Sequence, residues 1–304
     1  MQSGTDRNKF PSDQDQKVQF SRHQFLTLLT FAGWTAALSG CKLVGSQPPS
    51  LLVSPNEFMG YSIFNQTMVD MPWPAIEMAA QEGAIVLLPV AVIEEHGPHM
   101  GLGADVYQTY LWSKLTRQAL ESRGIKTLIA PPYYWGICSD THTFPGSFTV
   151  RPETMKAVFR DIHESLLRWG FKYVFSMNLH GDPQHNNVLF QAIRETREEV
   201  GIGAYAADIV APPAPTYPDT LSLEPGTDRH AGAYETALMV AEFPMDVNIE
   251  LAKTLTPQVG FLPGGYFGDP ARFDSLDPEA IRKWFVDYSV ATADGIEAFL
   301  KRQQ

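Results

Sequence analysis

A cluster of acidic and imidazole side chains follows a short apolar run that ends at Val90. The sequence there is Glu94-Glu95-His96-Gly97-Pro98-His99, and Asp105 comes soon after it at the start of a predicted helix. Glu94 and His96 are two residues apart, so an extended backbone points both side chains to one side. Carboxylate and imidazole ligands in combination suit Zn, Mn, Fe or Ni.

A second stretch, Asn178-Leu179-His180-Gly181-Asp182, follows another apolar run and repeats the two-residue spacing with His180 and Asp182. Two carboxylate-rich half-sites side by side suit a metal pair bridged by one oxygen ligand. A lone histidine is more often a hydrogen-bonded structural residue, and Glu94 with Glu95 could form an ordinary solvated loop. Ligand-type residues at two strand ends together favour a metal site.

Alternating strands and helices are predicted to position these residues. Continuous apolar runs bounded by turn residues predict strands, at 84–90, 126–130, 172–177 and 204–210. Apolar residues at helical spacing predict helices, at 74–82, 105–123, 151–169 and 186–200, with a last helix that starts at Asp277-Pro278-Glu279. The expected fold is α/β: a single layered domain over 59–304 with a mainly parallel β-sheet flanked by helices, and with ligands at the carboxyl edge of the sheet.

Composition excludes some classes of partner. The 304 residues include 23 Lys and Arg against 34 Asp and Glu, a formal charge of -11. No basic surface is expected to release counterions from nucleic acid, so nucleic-acid partners are excluded. Only two cysteines, Cys41 and Cys138, are present, and no disulfide is expected between them.

The N-terminal residues indicate export. After a polar segment from Met1 to Phe20, an apolar run of signal-peptide length ends in Leu38-Ser39-Gly40-Cys41, which resembles a bacterial lipobox. Residues 21–26 resemble a twin-arginine signal with His23 in place of the second Arg. We expect a signal peptide with a polar extension over 1–40, a lipoprotein tether over 41–58, and a lipid anchor at Cys41 on the periplasmic or outer face of a membrane. The alternative is a buried N-terminal helix in a cytoplasmic protein.

The two motifs resemble the creatininase family signature, Glu-x-His-Gly-Pro-His with an Asp nine residues after the first His, and Asn-Gly-His-Gly. Two further segments extend the resemblance across about 59–243: Phe144-Pro145-Gly146-Ser147 is similar to Phe-Pro-Gly-Thr, and His230-Ala231-Gly232-Ala233-Tyr234-Glu235-Thr236 is similar to His-Ala-Gly-Glu-x-Glu-Thr. The chain departs from the family at Leu179, Pro183 and Ala233. The resemblance implies a layered α/β amidohydrolase, commonly a homohexamer, with a dinuclear metal centre.

The resemblance also implies roles for single residues. Glu94 and His180 would bind one metal ion and His96 the other, with Asp105 bridging the two. The fifth ligand would be Asp182 or Glu235, because relatives differ at this point. His230 resembles the family's acid/base histidine, which would protonate the leaving nitrogen, and Glu235 would orient it if it does not bind metal.

The expected function is metal-dependent hydrolysis of a cyclic amide or similar C–N bond of a small molecule through a metal-activated hydroxide, as in the conversion of creatinine to creatine. The expected cofactors are two divalent ions, Zn and/or Mn, with Fe also compatible, and a homo-oligomer is expected. One alternative is a related hydrolase that acts on a formamide or a peptide. Another is a non-catalytic exported binding lipoprotein. Trp135 and His142 are candidate substrate-pocket residues.

Overall fold

The computed structural model describes residues 62–207 and 228–304, all within the second of the chain's two units, Met59–Gln304. Within these residues the sheet has four parallel strands in the order β2-β1-β3-β4: β1 (Ile85–Val90), β2 (Thr127–Ile129), β3 (Tyr173–Asn178) and β4 (Gly203–Ala206). The α/β fold with a parallel sheet flanked by helices is therefore confirmed. The predicted signal peptide, the tether and Cys41 lie outside the described residues.

Seven α-helices lie in the described part of the chain: α1 (Trp73–Gln81), α2 (Ala104–Glu121), α3 (Pro152–Arg168), α4 (Pro183–Val200), α5 (Ala233–Glu242), α6 (Ile249–Ala252) and α7 (Pro278–Arg302). Proline occupies the first turn of several of them, where its missing N–H costs no helical hydrogen bond. At the predicted start of α7, the Asp277 side chain accepts a hydrogen bond from Glu279 N.

The helices cover both faces of the sheet because successive strand residues point to opposite sides. Val86 and Leu88 of β1 pack with α1, α3 and α4, whereas Ile85 and Leu87 pack with α2, α5 and α7. All six residues of β1 are buried, as expected for the central strand of a three-layered domain.

Two element boundaries differ from the prediction by three residues or more, and the others by at most two. Helix α4 begins at Pro183, three residues before the predicted 186, because the Asp182 side chain caps it by accepting a hydrogen bond from His185 N. Strand β4 spans Gly203–Ala206, and residues 208–210 of the predicted strand lie outside the described residues.

The register between β1 and β3 sets the position of the site. Val90 pairs with Asn178, so the last residues of the two strands lie level with each other. The chain leaves β1 toward α2 and leaves β3 toward α4, and the strand order changes direction between β1 and β3. In parallel α/β sheets this switch point opens a crevice at the carboxyl edge. Both sequence motifs start there.

The part of the chain that the structure describes holds no helix with the length and apolar character needed to cross a membrane.

We expect His163 to make folding acid-sensitive. This α3 side chain is fully buried against Phe159, and burial lowers its pKa from 6.5 to about 4. Because the pKa is lower in the folded state, the neutral ring favours folding above pH 6.5 and this contribution is lost as the pH falls toward 4. A His163→Phe variant should lose about 2 kcal/mol less unfolding free energy between pH 7 and pH 5 than the parent, measured by urea denaturation. An equal pH slope in both proteins would contradict this expectation.

Candidate metal centre

Four structural elements bring the candidate ligands together. Glu94 and His96 lie in the loop after β1, and His180 lies two residues after β3. Asp105 lies in the first turn of α2 and Glu235 in the first turn of α5, where the helix dipole stabilises negative charge. The structure thus collects Glu94, His96, Asp105, His180 and Glu235 at the carboxyl edge of the sheet.

The Asp105 carboxylate lies between two histidines. Its Oδ2 is 2.9 Å from His180 Nδ1, and its Oδ1 is 3.3 Å from His96 Nε2. Both oxygens are buried with the residue, which is 3% exposed. A carboxylate whose two oxygens face different imidazoles has the arrangement needed to bridge two cations.

Backbone carbonyls determine which nitrogen of each histidine faces Asp105. His180 Nε2 lies 2.9 Å from Ile137 O, and His96 Nδ1 lies 3.2 Å from Glu94 O. A carbonyl only accepts hydrogen bonds, so these nitrogens carry hydrogen in the neutral rings. The other nitrogen of each ring therefore presents its lone pair to the carboxylates, as metal-binding histidines do.

Several of these atoms need a positive charge nearby. His180 Nδ1 also lies 3.2 Å from Glu94 Oε2, and His96 Nε2 lies 4.0 Å from Glu235 Oε2. Glu94 Oε2 and His96 Nε2 are buried without a hydrogen-bond partner. Buried polar atoms without partners are costly, and divalent ions between these carboxylates and imidazoles would satisfy them. The residues present therefore fit a metal pair.

In the absence of an ion, protons have to supply that charge. Burial acts against protonation of His96, but Asp105 and the other carboxylates outweigh it and raise the pKa to about 10. Burial opposes protonation of His180 as well, yet its hydrogen bond to Asp105 and the nearby Glu94 carboxylate hold the pKa well above the usual value. The same histidines keep the pKa of Asp105 well below its usual range despite burial. Burial raises the pKa of Glu235.

The two candidates for the fifth ligand are placed differently. Glu235 lies with His96 and Asp105, one ligand atom of each being within 4.8 Å of the others. Asp182 instead caps α4, and its Oδ2 accepts hydrogen bonds of 2.5 Å from both the backbone N and the Oγ of Ser139. Those hydrogen bonds, acting against burial, lower the pKa of Asp182. The Asp182 oxygens are therefore occupied by the protein itself.

His230 lies beside His96, with ring centroids 4.4 Å apart, and it is nearly buried. Its Nε2 lies 2.8 Å from Glu95 O and 3.5 Å from Glu95 Oε1, so Nε2 donates and Nδ1 carries the lone pair of the neutral ring. The alternative of an ordinary solvated loop does not hold for Glu95, because the residue is 6% exposed and its carboxylate faces His230. From the sequence alone, an extended backbone points Glu95 to the side opposite Glu94, so its contact with His230 could not be predicted.

A glycine-rich turn over residues 264–268 contacts both Glu95 and His230. Gly265 has φ +73°, and a Cβ there would lie 2.2 Å from Glu95 Oε2, so the turn requires glycine for its conformation and for close approach. Phe267 exchanges backbone hydrogen bonds with His230. The turn therefore fixes the His230 backbone and closes over the Glu95 carboxylate.

A cavity of about 180 Å³ opens beside Asp105, His180, His230 and Glu235. Asp140 also lines the cavity, and the motifs did not indicate two further walls, Arg229 and Phe261. Trp135 is nearly half exposed and lines a separate apolar groove, and His142 is hydrogen-bonded to Ser139 O, so the structure places neither of these candidate pocket residues on the cavity wall.

His185 is linked to the candidate ligand His180 through the backbone of Ile137. Its Nδ1 accepts a hydrogen bond of 3.2 Å from Ile137 N, and the Ile137 carbonyl in turn accepts from His180 Nε2. Burial lowers the pKa of His185 to about 3, which keeps the ring neutral and Nδ1 available as an acceptor. Outer hydrogen bonds of this kind orient metal-binding histidines.

Comparisons with known proteins agree with the geometry. The family model for Creatininase, described as creatinine amidohydrolase, matches residues 69–293. Creatinine amidohydrolase from Pseudomonas putida is 29% identical over 226 residues, which are 67% of this chain and 82% of that protein. A mycofactocin precursor peptide peptidase from Mycobacterium ulcerans (strain Agy99) is 24% identical over 224 residues, 68% of this chain and 83% of that protein.

Solved structures share the fold. One described as creatininase Mn has a TM-score of 0.60 at 19% identity and covers 77% of this chain and 98% of that one. A mutant creatininase of Zn-Zn type has a TM-score of 0.58 at 23% identity and covers 78% and 98%. At these identities the similarity shows the layered α/β fold alone.

We expect His185→Leu to lower zinc affinity about 10- to 100-fold, the usual effect of losing an outer hydrogen bond at a metal site. His185 Nε2 has no hydrogen-bond partner, so leucine removes only the Nδ1 acceptor. His185→Asn keeps an acceptor and should lose less affinity. Competition with a chromophoric chelator measures both variants, with thermal unfolding as the control for folding. Unchanged affinity in a folded His185→Leu protein would refute the role of His185.

Proposed function

This chain belongs to the creatininase family, and on that premise we propose that it hydrolyses the amide bond of a small molecule at a centre of two divalent metal ions. The chain is a hydrolase of C–N bonds by its family. We assign one ion to Glu94 and His180 and the other to His96 and Glu235, with Asp105 shared between them. The observation that carries the proposal is the Asp105 carboxylate, whose two oxygens face two histidines.

The donor set supports Zn, Mn or both, because imidazole suits zinc and carboxylate also suits manganese. When bound, two such ions lower the pKa of a coordinated water and polarise the substrate carbonyl. Glu94, Asp105 and Glu235 carry three negative charges in this site. These charges offset most of the four positive charges that two divalent ions would bring.

His230 is the residue that moves protons in this proposal. Its Nε2–H is held by the Glu95 carbonyl, which leaves Nδ1 to accept a proton from the attacking water and return it to the leaving nitrogen. The Glu95 carboxylate, 3.5 Å from Nε2, stabilises the imidazolium that exists between these two transfers. Phe261 lines the same cavity and gives it one apolar wall beside the reacting groups.

A compact cyclic amide is the substrate class that we favour. The cavity of about 180 Å³ accommodates a small molecule, and creatinine amidohydrolase is among the relatives. The Arg229 guanidinium on the cavity wall suits the carboxylate that amide hydrolysis produces. A peptide amide is the second candidate, because a precursor peptide peptidase matches a similar share of the chain.

We further propose that the protein is exported, that Cys41 is lipidated and that the chain forms a homo-oligomer. The support is the lipobox-like sequence for the first two and the family resemblance for the third.

The bridging role predicts a large effect of Asp105→Ala. This variant should lose the bound metal pair and turnover together, because both ions share the carboxylate. Asp105→Asn keeps the size of the side chain but loses the charge, and should also lose at least one ion. Elemental analysis of the purified proteins and a hydrolysis assay measure both effects. Full metal content with parental turnover in Asp105→Ala would refute the bridging role.

The fifth ligand can be identified by a matched pair of isosteric substitutions. We expect Glu235→Gln to reduce the metal content toward one ion per chain, because glutamine removes the charge beside His96. Asp182→Asn should leave both the metal content and the cap of α4 intact, because asparagine caps helices as well as aspartate does. The opposite result, with metal lost in Asp182→Asn alone, would assign the ligand to Asp182.

The substrate class can be tested with metal-loaded protein and three kinds of amide: creatinine, a formamide, and a short peptide. Ring opening of creatinine supports the favoured substrate class, and release of amino acids from the peptide supports the second candidate. Metal-loaded protein that turns over no amide would contradict the proposed function.

A further inference from the structure

One buried cysteine lies against half of the metal centre, and the ligand set given above does not use it. Cys138 is fully buried. Its Sγ, an oxygen of Glu94 and a nitrogen of His180 all lie within 4.8 Å of one another. Three ligand atoms at such separations surround a space that one metal ion can fill after small side-chain adjustments, since zinc binds sulfur at about 2.3 Å and nitrogen at about 2.0 Å.

The backbone around Cys138 is held by several hydrogen bonds. Cys138 N donates to Thr149 Oγ1 at 3.2 Å, and Gly136 O accepts from Val150 N at 2.9 Å. The intervening Ile137 uses its N–H toward His185 and its carbonyl toward His180. The position of Sγ beside His180 is therefore set by the same hydrogen bonds that orient the histidine.

A second observation points independently to a cation at this place. Glu94 Oε2 is buried and has no hydrogen-bond partner, although Thr141 Oγ1 donates to the other oxygen of the same carboxylate. The Cys138 thiol donates a hydrogen bond of 3.4 Å to Phe148 O. The thiol and the Glu94 carboxylate thus lie around the same space as His180.

We propose that Cys138 binds the ion held by Glu94 and His180 as a thiolate, which makes this half of the centre selective for zinc. This inference rests on the proposed metal-dependent function. Soft thiolate ligands favour zinc, whereas the other half, with His96, Asp105 and Glu235, offers only nitrogen and oxygen and accepts manganese more readily.

The coordination step balances without an oxidant or reductant. The S–H bond of Cys138 breaks, sulfur donates an electron pair to the ion, and the proton leaves to solvent. Without an ion, burial raises the pKa of the Cys138 thiol, and the carboxylates of Glu94, Asp105 and Asp182 raise it further. A divalent cation reverses the sign of that local field and stabilises the thiolate.

The test is the absorption spectrum of the full chain after its metals are exchanged for Co²⁺, because thiolate bound to Co²⁺ gives an intense charge-transfer band in the near ultraviolet. Cys41 is the chain's other cysteine, so Cys41→Ser leaves Cys138 as its only thiol. We expect the band in the parent and in Cys41→Ser, and its loss in Cys138→Ser, which should still bind Co²⁺. Cys138→Ala repeats the measurement if the serine variant unfolds.

Metal preference gives a second readout that does not involve activity. Cys138→Ser should lower zinc affinity by at least about tenfold, because losing a direct ligand costs no less than losing a hydrogen bond to a ligand. It should change manganese affinity less, since manganese prefers oxygen ligands to sulfur. Equal losses for both metals would overturn the selectivity.

The two proposals fail in distinguishable ways. Parent protein that binds Co²⁺ and hydrolyses amides but shows no charge-transfer band overturns the role of Cys138 and leaves the proposed function intact. A band that persists in Cys138→Ser also overturns it. A chain that binds neither Co²⁺ nor Zn²⁺ overturns both proposals together.

Discussion

Around Asp105, buried carboxylate oxygens face the lone pairs of buried histidine nitrogens and repel them. The properties of the site depend on whether protons or metal ions offset this repulsion. Asp105 Oδ2 and Glu94 Oε2 both lie within 3.2 Å of His180 Nδ1, and all three residues are nearly or fully buried. Protons relieve the repulsion in the ion-free protein, which is why the histidine pKa values rise. Divalent ions relieve it more completely, because each offers several bonds where a proton offers one.

The fold holds this arrangement through elements that have independent reasons to be rigid. The level ends of β1 and β3 come from ladder hydrogen bonds deep in the sheet, and Asp105 and Glu235 are held in first turns of helices. Carbonyls of Glu94 and Ile137 then select the ring nitrogens that face inward. Because backbone groups hold the ligands in place, side-chain motions do little to separate them. The repulsion between the ligands therefore remains until a cation or a proton binds.

In the proposed function, the metal centre carries out the hydrolysis and the cavity walls select the substrate. A creatinine amidohydrolase and a precursor peptide peptidase match similar shares of the chain, although their names describe different substrates. Hydrolysis of either amide needs a polarised carbonyl and an activated water, whereas in our proposal the choice of substrate falls to cavity walls such as Arg229 and Phe261.

The sequence by itself determined the fold class, the family and the two strand-end motifs, because periodicity and residue spacing are local properties of the chain. It also located the start of α7 at Asp277. It left Asp182 and Glu235 as alternative fifth ligands and a solvated loop as the alternative for Glu95, since a carboxylate that caps a helix and one that faces a histidine look alike in a sequence. Only the tertiary structure shows what each carboxylate contacts. The partners Ser139, His230 and His96 are distant along the chain from the carboxylates they contact, and the folding of β1, β3 and α5 brings them into contact.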